Sequence, residues 1–174
     1  MAGTTPDYTK KRAIVETTKG TFTLKFRPDK APLHVENFVK LAEAGKYDGT
    51  QFHRVIDGFM IQGGDFDNIA KPERMGTGGH SWKGPGTTVK AEFNDIPHDK
   101  GTLSMARSND PNSAGAQFFV CVGRQSFLDG KYSAFGQVET GYEVVDAISK
   151  VKRDPRDKPL EAVIMKSVKI VDAQ

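Results

Sequence analysis

Cysteine and long apolar runs are what this 174-residue sequence has least of. The one cysteine, Cys121, excludes an internal disulfide, and its position in the apolar run FFVCV predicts a small buried core residue rather than a nucleophile or metal ligand. No window approaches the ~18 uninterrupted apolar residues of a membrane span, and the N-terminal MAGTTPDYTKKR lacks the apolar stretch of a signal peptide. We therefore expect a cytoplasmic protein.

An excess of one charge sign is also missing. Lys and Arg number 25 against 22 Asp and Glu, and they do not form the basic blocks that bind nucleic acids or anionic membranes. The sequence therefore predicts neither a nucleic-acid partner nor a membrane partner, and a monomer is the simplest expectation. With 37% hydrophobic and 27% charged positions, the composition is typical of a globular protein with one substantial core.

Common ligand-binding motifs are absent as well. The glycine-rich segment MGTGGHSWKGPG lacks the GK[ST] ending of a phosphate loop and the spacing of a dinucleotide fingerprint. Residues 65–68 begin like a calcium loop, but Ile69 stands where an oxygen ligand is needed. Four dispersed histidines show no metal-ligand spacing and are assigned structural or surface roles: His34, His53, His80 and His98. No serine has the nucleophile-elbow pattern of a hydrolase triad, and we expect neither a cofactor nor a metal.

Strand-like patterns dominate the rest of the sequence. Residues 21–26, TFTLKF, place Phe22, Leu24 and Phe26 on one face, and Lys19-Gly20 joins them to the preceding AIVETT as in a tight hairpin. The runs LSMA, QFFVCV, AFGQV and VIMKSVKIV also have strand length and are separated by Gly, Pro, Asn and Asp. Because strands must close or stack to protect their edges, the pattern predicts a mainly β fold, either a barrel or a sandwich.

Two segments have helical spacing instead. Apolar residues recur at helical intervals after Pro32, and Gly45 follows where a left-handed cap is expected. A second, short helix is predicted over residues 141–150, because Thr140 and Glu143 have the spacing of a capping box. No repeat or linker divides the chain, so we expect a loosely ordered N-terminal extension, residues 1–11, and a single domain, residues 12–174.

Three longer stretches place polar groups inside apolar or glycine-rich sequence. They are FHRVIDGFMIQGGDF (residues 52–66), GTLSMARSNDPNSAGAQFFV (101–120) and SFLDGKYSAFGQV (126–138). In order, spacing and content they resemble the cyclophilins, the peptidyl-prolyl cis-trans isomerases, and the resemblance covers most of the chain. MARSNDPNS together with KYSAFGQV is most similar to the bacterial single-domain cytoplasmic members. The resemblance implies a closed eight-stranded antiparallel β-barrel capped by two α-helices, with isomerase activity that assists protein folding.

This reaction explains an arginine in an apolar run. Resonance opposes rotation about a peptide bond with a barrier of ~18–20 kcal/mol. In the twisted transition state the lone pair is localised on the prolyl nitrogen, so a donor aimed there binds the transition state better than either planar ground state. The resemblance assigns this donor role to Arg54 and names Gln62 and Phe59 as the other catalytic residues. No group is transferred, so no cofactor is required.

The resemblance also implies a groove for Xaa-Pro-containing polypeptides. Its substrate-binding residues would be Met60, Gly76, Ala106, Arg107, Ser108, Gln117, Phe119, Phe127, Leu128 and Tyr132. The apolar members would form a slot for the proline ring, although a plain core role is the alternative for each. Gln62 and Gln117 have amides suited to holding substrate carbonyls or Arg54, with ordinary hydrogen bonding as the alternative. The backbone of Ala106 and Arg107 would pair with the extended peptide.

Three positions depart from the best-known members, which carry Trp, His and Asn where this chain has Phe127, Tyr132 and Arg107. Phe127 removes an indole N–H donor, so cyclosporin A is a possible ligand for which we expect weak inhibition with activity retained. Tyr132 keeps an aromatic wall with a polar tip. The charge of Arg107 is expected to favour substrates with acidic neighbours.

Two other functions stay open beside the active isomerase. One is a proline-peptide-binding chaperone module whose isomerase activity is incidental, and the other is a scaffold barrel without activity. Arg54 beside the expected pocket argues against the scaffold, because an inactive barrel has no use for that cation. The sequence does not separate the enzyme from the binding module.

Overall fold

Eight strands and two α-helices make up the described part of the chain, residues 6–173 of a computed structural model. The strands are β1 (Lys11–Thr17), β2 (Gly20–Phe26), β3 (Phe52–Ile56), β4 (Met60–Gly63), β5 (Thr102–Met105), β6 (Phe118–Cys121), β7 (Ala134–Thr140) and β8 (Met165–Asp172). The helices are α1 (Pro32–Glu43) and α2 (Tyr142–Ser149), and single 3₁₀ turns occur at Tyr8–Lys10, Pro72–Arg74 and Ser126–Leu128. None of these helices is long and apolar enough to cross a membrane.

The strands form one antiparallel sheet in the order β3-β4-β6-β5-β7-β2-β1-β8. Its two edges meet at a bridge between Gln51 and Ile164, where Phe52 N donates to Val163 O at 3.0 Å and Met165 N donates to Thr50 O at 2.8 Å. These bonds curl the sheet into a barrel. The predicted eight-stranded barrel with two helices is confirmed, and the seam between β3 and β8 is short compared with the other ladders.

The first helix begins and ends as the sequence predicted. Pro32 is its first residue, and Gly45 follows its end with φ of 72°. Its N-cap residue, Ala31, offers no side-chain acceptor, and the cap comes instead from a distant loop. The Glu92 carboxylate accepts hydrogen bonds from Leu33 N at 3.1 Å and His34 N at 2.9 Å, and it also contacts His34 Nδ1 at 2.6 Å. Glu92 therefore ties α1 to the loop that precedes β5.

The predicted capping box of the second helix is wrong. Thr140 is the last residue of β7, where it pairs with Thr23 of β2, so its backbone is extended and belongs to the ladder. The N-cap is Gly141, with φ of 83° and no side-chain hydrogen bond. A Cβ on Gly141 would lie 2.6 Å from Thr21 O, so the close approach of β2 also requires glycine there.

The barrel interior holds the main hydrophobic core. Aromatic rings from both helical and strand segments meet there, with Phe38 contacting Tyr47, Phe118 and Phe135 at centroid separations of 5.1, 5.3 and 5.7 Å. The N-terminal segment joins this core through Tyr8, which is 5% exposed, so the fold begins before the predicted boundary between residues 11 and 12. Residues 1–5 lie outside the described residues, and the predicted division of the chain into extension and domain otherwise stays a prediction.

Candidate active site

The site arises from the register of four neighbouring strands. Val55, Ile61, Val120 and Leu103 occupy β3, β4, β6 and β5, are fully buried, and belong to the core inside the barrel. Because side chains alternate along a strand, the adjacent residues face outward. Arg54 pairs with Gln62, Gln62 with Phe119, and Phe119 with Ser104. Directly paired side chains share a face, so the register sets these four in a row across the outside of the barrel.

A second, smaller hydrophobic cluster lies on this outer face. It consists of Met60, Phe119, Cys121 and Leu128, with Ile56, Phe59, Ala106 and Tyr132 packed against it. Cys121 is completely buried, as predicted, and burial raises its thiol pKa to about 12, so it is not a nucleophile. Three of its members, Met60, Phe119 and Leu128, line a cleft of about 160 Å³, which we call the apolar cleft. The full lining is Arg54, Phe59, Met60, Gln62, Ala106, Arg107, Phe119, Leu128 and Tyr132.

Arg54 stands at the edge of the apolar cleft with its guanidinium exposed. Nη1 donates to Gln62 Oε1 at 3.3 Å, and the guanidinium carbon lies 6.0 Å from the centre of the Phe59 ring. No ion pair found among residues 6–173 includes Arg54. The cation is therefore held by a neutral amide and an aromatic face and keeps donors for another acceptor.

A second cleft adjoins the first and shares Gln62, Ala106 and Arg107 with it. This glycine cleft, of about 350 Å³, is further lined by Gly76, Thr77, Gly78, Gly79, Ser108, Ser113, Gly115, Ala116 and Gln117. Among the described residues, no carboxylate lines either cleft. Gln117 Nε2 donates to the carbonyls of Gly76 and Gly78, so both of its amide hydrogens are engaged within the protein.

Arg107 lies where the two clefts meet. Its guanidinium is 4.5 Å from the Tyr132 ring centre and 5.9 Å from that of Phe93, and it donates to the Lys131 carbonyl at 2.7 Å. Within residues 6–173 its backbone N–H and C=O make no hydrogen bond, whereas Ala106 N donates to Gln117 O at 3.1 Å. The peptide groups of Arg107 are thus available to an extended ligand, and the N–H of Ala106 is not.

Phe127 stands apart from the other predicted site residues. It is 60% exposed and lines neither cleft, and it reaches the site only through Phe59, with ring centres 5.6 Å apart. Twelve of the predicted site residues therefore line one or both clefts, and Phe127 lies on the rim.

A polar layer behind Phe119 was missed from the sequence. His98 stacks on the Phe119 ring with centres 6.1 Å apart, and its Nε2 is 2.9 Å from the Oγ of buried Ser104. Its Nδ1 is 3.2 Å from Asp129, which Arg124 also binds. His98 was expected to be structural or surface, and no local signal marks it, because these partners come from separate parts of the chain.

The protonation of this layer follows from its contacts. Burial lowers the pKa of His98, although the hydrogen bond and charge of Asp129 oppose that shift. Hydrogen bonds from Arg124 and from His98 N hold the pKa of Asp129 well below its usual value. Neutral His98 therefore donates from Nδ1 to an ionised Asp129 and accepts at Nε2 from Ser104. Ser104 is fully buried, so these hydrogen-bonded residues support the Phe119 ring and are not a hydrolase triad.

Comparison with known proteins connects this geometry to a family. A sequence profile described as cyclophilin type peptidyl-prolyl cis-trans isomerase/CLD matches residues 12–170. A peptidyl-prolyl cis-trans isomerase of Synechococcus elongatus is 50% identical over 128 residues, which cover 74% of this chain and 80% of that protein. A probable peptidyl-prolyl cis-trans isomerase of Brucella abortus is 44% identical over 142 residues, which cover 79% of this chain and 70% of that protein.

Solved structures agree with the sequence comparison. The crystal structure of a cyclophilin type peptidyl-prolyl cis-trans isomerase from Cryptosporidium parvum matches with a TM-score of 0.83 and 30% identity, covering 94% of this chain and 99% of that one. A structure of the same protein in the presence of the dipeptide Ala-Pro matches with a TM-score of 0.81 and 31% identity, again covering 94% of this chain and 99% of that one. The profile match, the relatives and the shared fold together show that this chain belongs to the cyclophilin-type peptidyl-prolyl cis-trans isomerases.

Proposed function

We propose that the apolar cleft holds a proline ring and that Arg54 accelerates rotation of the preceding Xaa-Pro bond by donating to the prolyl nitrogen. One observation carries this proposal. A guanidinium that forms no ion pair within residues 6–173 stands beside an outward-facing apolar cluster, where Gln62 and Phe59 hold it. Part of this cluster lines an open cleft instead of the barrel interior, and a cation with no carboxylate bound to it within residues 6–173 is suited to a neutral acceptor.

The physical basis is differential binding of the transition state. The planar amide has no lone pair to offer at nitrogen, whereas the twisted amide does, so the hydrogen bond from Arg54 forms fully only at the top of the barrier. An acceleration of about 10⁵ requires roughly 7 kcal/mol, and one preorganised donor supplies about 2.7–4 kcal/mol in comparable sites. The remainder comes from orientation and strain of the peptide in the cleft.

The peptide backbone would lie between the two clefts. The available N–H and C=O of Arg107 can pair with an extended chain in the manner of strand addition, which gives affinity with little sequence preference. The Cryptosporidium relative studied in the presence of Ala-Pro supports an Xaa-Pro peptide as the ligand. The fixed charge of Arg107, in clefts that no carboxylate of residues 6–173 lines, favours peptides with acidic residues near the proline.

In the cell we propose a monomeric cytoplasmic enzyme that assists the folding of proline-containing chains, without a nucleic-acid or membrane partner. Cyclosporin A would bind weakly, because the exposed Phe127 side chain has no donor. A folding helper needs broad substrate acceptance, which backbone pairing and a small apolar cleft provide.

The test combines binding with catalysis on the same short peptide. Titration with an Ala-Pro dipeptide should shift the NMR methyl signal of Met60 and the ring signals of Phe119, and the protein should speed isomerisation of an Ala-Pro-containing tetrapeptide well above the uncatalysed rate. Binding without acceleration would replace the enzyme by a proline-peptide-binding module. Acceleration without shifts at Met60 and Phe119 would move the site elsewhere.

A further inference from the structure

The backbone segment Gly76–Gly78 forms a wall of the glycine cleft and is held from both sides. On one side the Asp65 carboxylate accepts hydrogen bonds from Gly76 N at 2.8 Å and Gly78 N at 3.0 Å. On the other side Gln117 Nε2 donates to the carbonyl oxygens of the same two glycines, both at 2.9 Å. The position of this segment therefore couples the Asp65 carboxylate to the Gln117 amide, although these two side chains do not bind each other.

Asp65 is built into its place. It is fully buried and accepts two further hydrogen bonds, from Asn68 Nδ2 at 2.8 Å and Asp67 N at 3.0 Å. Burial opposes its charge, but the hydrogen bonds from Asn68, Gly78, Gly76 and Asp67 outweigh that effect and hold its pKa below the usual value. A Cβ on Gly78 would lie 2.7 Å from Asp65 Oδ1, so the carboxylate approaches the backbone as closely as only glycine allows.

The hydrogen bonds continue from Gln117 to the site. Because its Nε2 faces two carbonyls, Gln117 must turn Oε1 the other way, where Gln62 Nε2 donates to it at 3.0 Å. Gln62 in turn presents Oε1 to Arg54 Nη1 at 3.3 Å. Each amide has one orientation that suits both neighbours. A flipped Gln117 would set its oxygen against two carbonyl oxygens, and a flipped Gln62 would set N–H groups against the guanidinium.

We infer that Asp65 is a positioning residue for Arg54, acting through Gly76–Gly78, Gln117 and Gln62 to keep an oxygen acceptor against the guanidinium. The inference rests on the proposed function of Arg54 and deepens it. Asp65 does not line either cleft, so we assign its effect on catalysis to this chain of hydrogen bonds. At the other end of this chain of hydrogen bonds, the sheet holds Gln62 beside Arg54, because the two residues are cross-strand partners.

The test is a double-mutant cycle with Asp65→Asn and Gln117→Leu. Asparagine has nearly the shape of aspartate but replaces one acceptor oxygen with a donor. It therefore cannot accept hydrogen bonds from all four of the N–H groups that bind Asp65. We expect kcat to fall about fivefold with KM for a short Ala-Pro peptide changed less than twofold, because the apolar cleft is untouched. In the Gln117→Leu background, Asp65→Asn should lower kcat by less than about 1.5-fold more.

Asp67→Asn is the matched control. It changes the same kind of group in the same loop, but the Asp67 carboxylate accepts from Gly79 N at 2.7 Å and does not bind Gly76, Gly78 or Gln117; only the backbone N–H of Asp67, which the substitution keeps, reaches Asp65. Its kcat should stay within about twofold of the parent. The inference would be overturned if the two losses in kcat multiplied in the double mutant, or if Asp67→Asn lost as much kcat as Asp65→Asn. Either result would indicate a general effect of loop stability.

A readout without substrate separates this inference from the proposed function. The NMR side-chain signals of Gln62 NH₂ and Arg54 Nε–H in the ligand-free protein should move in Asp65→Asn and stay in place in Asp67→Asn. Unmoved signals would overturn the positioning role even if the parent is active, whereas an inactive parent with moved signals overturns only the proposed function. If Asp65→Asn does not fold, Asn68→Ala, which removes one of the four donors, should move the same signals, and unmoved signals again overturn the inference.

Discussion

Replacing Arg54 with alanine should remove most of the catalysis and leave the fold intact. The guanidinium is exposed and makes one 3.3 Å hydrogen bond to Gln62 and one distant contact, 6.0 Å, to the Phe59 ring. Removing such a side chain changes the free energy of unfolding by no more than about 0.5 kcal/mol. The loss of a single donor aimed at the transition state costs about 2.7–4 kcal/mol, so kcat/KM should fall by about 10²–10³. Roughly half of the free energy behind a 10⁵ acceleration would remain with the cleft.

The assay is cis-to-trans isomerisation of a short Xaa-Pro peptide, followed together with thermal unfolding. Arg54→Lys sharpens the result, because it keeps the charge and loses the planar fork, and should retain at most about one tenth of the parent kcat/KM. Arg156→Ala is the control, since it removes an exposed arginine that lines neither cleft. An Arg54→Ala enzyme within threefold of the parent would refute the donor role, as would a loss explained by an unfolding midpoint below the assay temperature.

Three further predictions follow from the cleft rim and from α1. Phe127→Trp should place an indole N–H on the exposed rim and strengthen inhibition by cyclosporin A about fivefold to tenfold, as one added hydrogen bond would, while kcat/KM stays within twofold. Arg107→Gln should lower kcat/KM about threefold for a peptide with Glu beside the proline and not for its Gln analogue, with the difference shrinking at high salt. The lowered pKa of Glu92, which hydrogen bonds from His34 and Leu33 maintain against burial, means that its stabilisation is present above its ordinary pKa and lost as pH falls through the lower folded-state pKa. Glu92→Gln should therefore lower the free energy of unfolding at pH 7 by about 1–2 kcal/mol and flatten its decline in acid, measured by urea unfolding at each pH.

Each of these has a contradicting outcome. Unchanged inhibition in Phe127→Trp would show that the rim donor does not contact the macrocycle. An equal loss with both peptides in Arg107→Gln would make its contribution one of packing on Tyr132. If the free energy of unfolding of Glu92→Gln declined equally steeply in acid, that pH dependence would belong to other carboxylates.

The placement of the predicted site residues follows most directly from the sequence where those residues are close together in the chain. Residues 52–66 contain two paired strands, so alternation alone sets Arg54 and Gln62 apart from Val55 and Ile61. The strand runs separated by turn residues predicted a mainly β fold, either a barrel or a sandwich, and the resemblance to the cyclophilins supplied the eight-stranded barrel. His98 and Asp65 could not be predicted as parts of the site. Their partners come from distant segments or from backbone groups, and neither a histidine nor a loop carboxylate reveals in one sequence which donors will converge on it.

The alternation of β3, β4 and β6 also separates two design problems. The inward residues fill the barrel and carry its stability, whereas the outward residues on the same strands shape the ligand surface. Pocket residues can therefore be exchanged for others of similar volume without opening a void in the interior. We expect libraries randomised at Phe59, Met60 and Leu128 to yield many folded variants with new ligand preferences, and libraries at Val55, Ile61 and Val120 to yield few folded proteins of any kind.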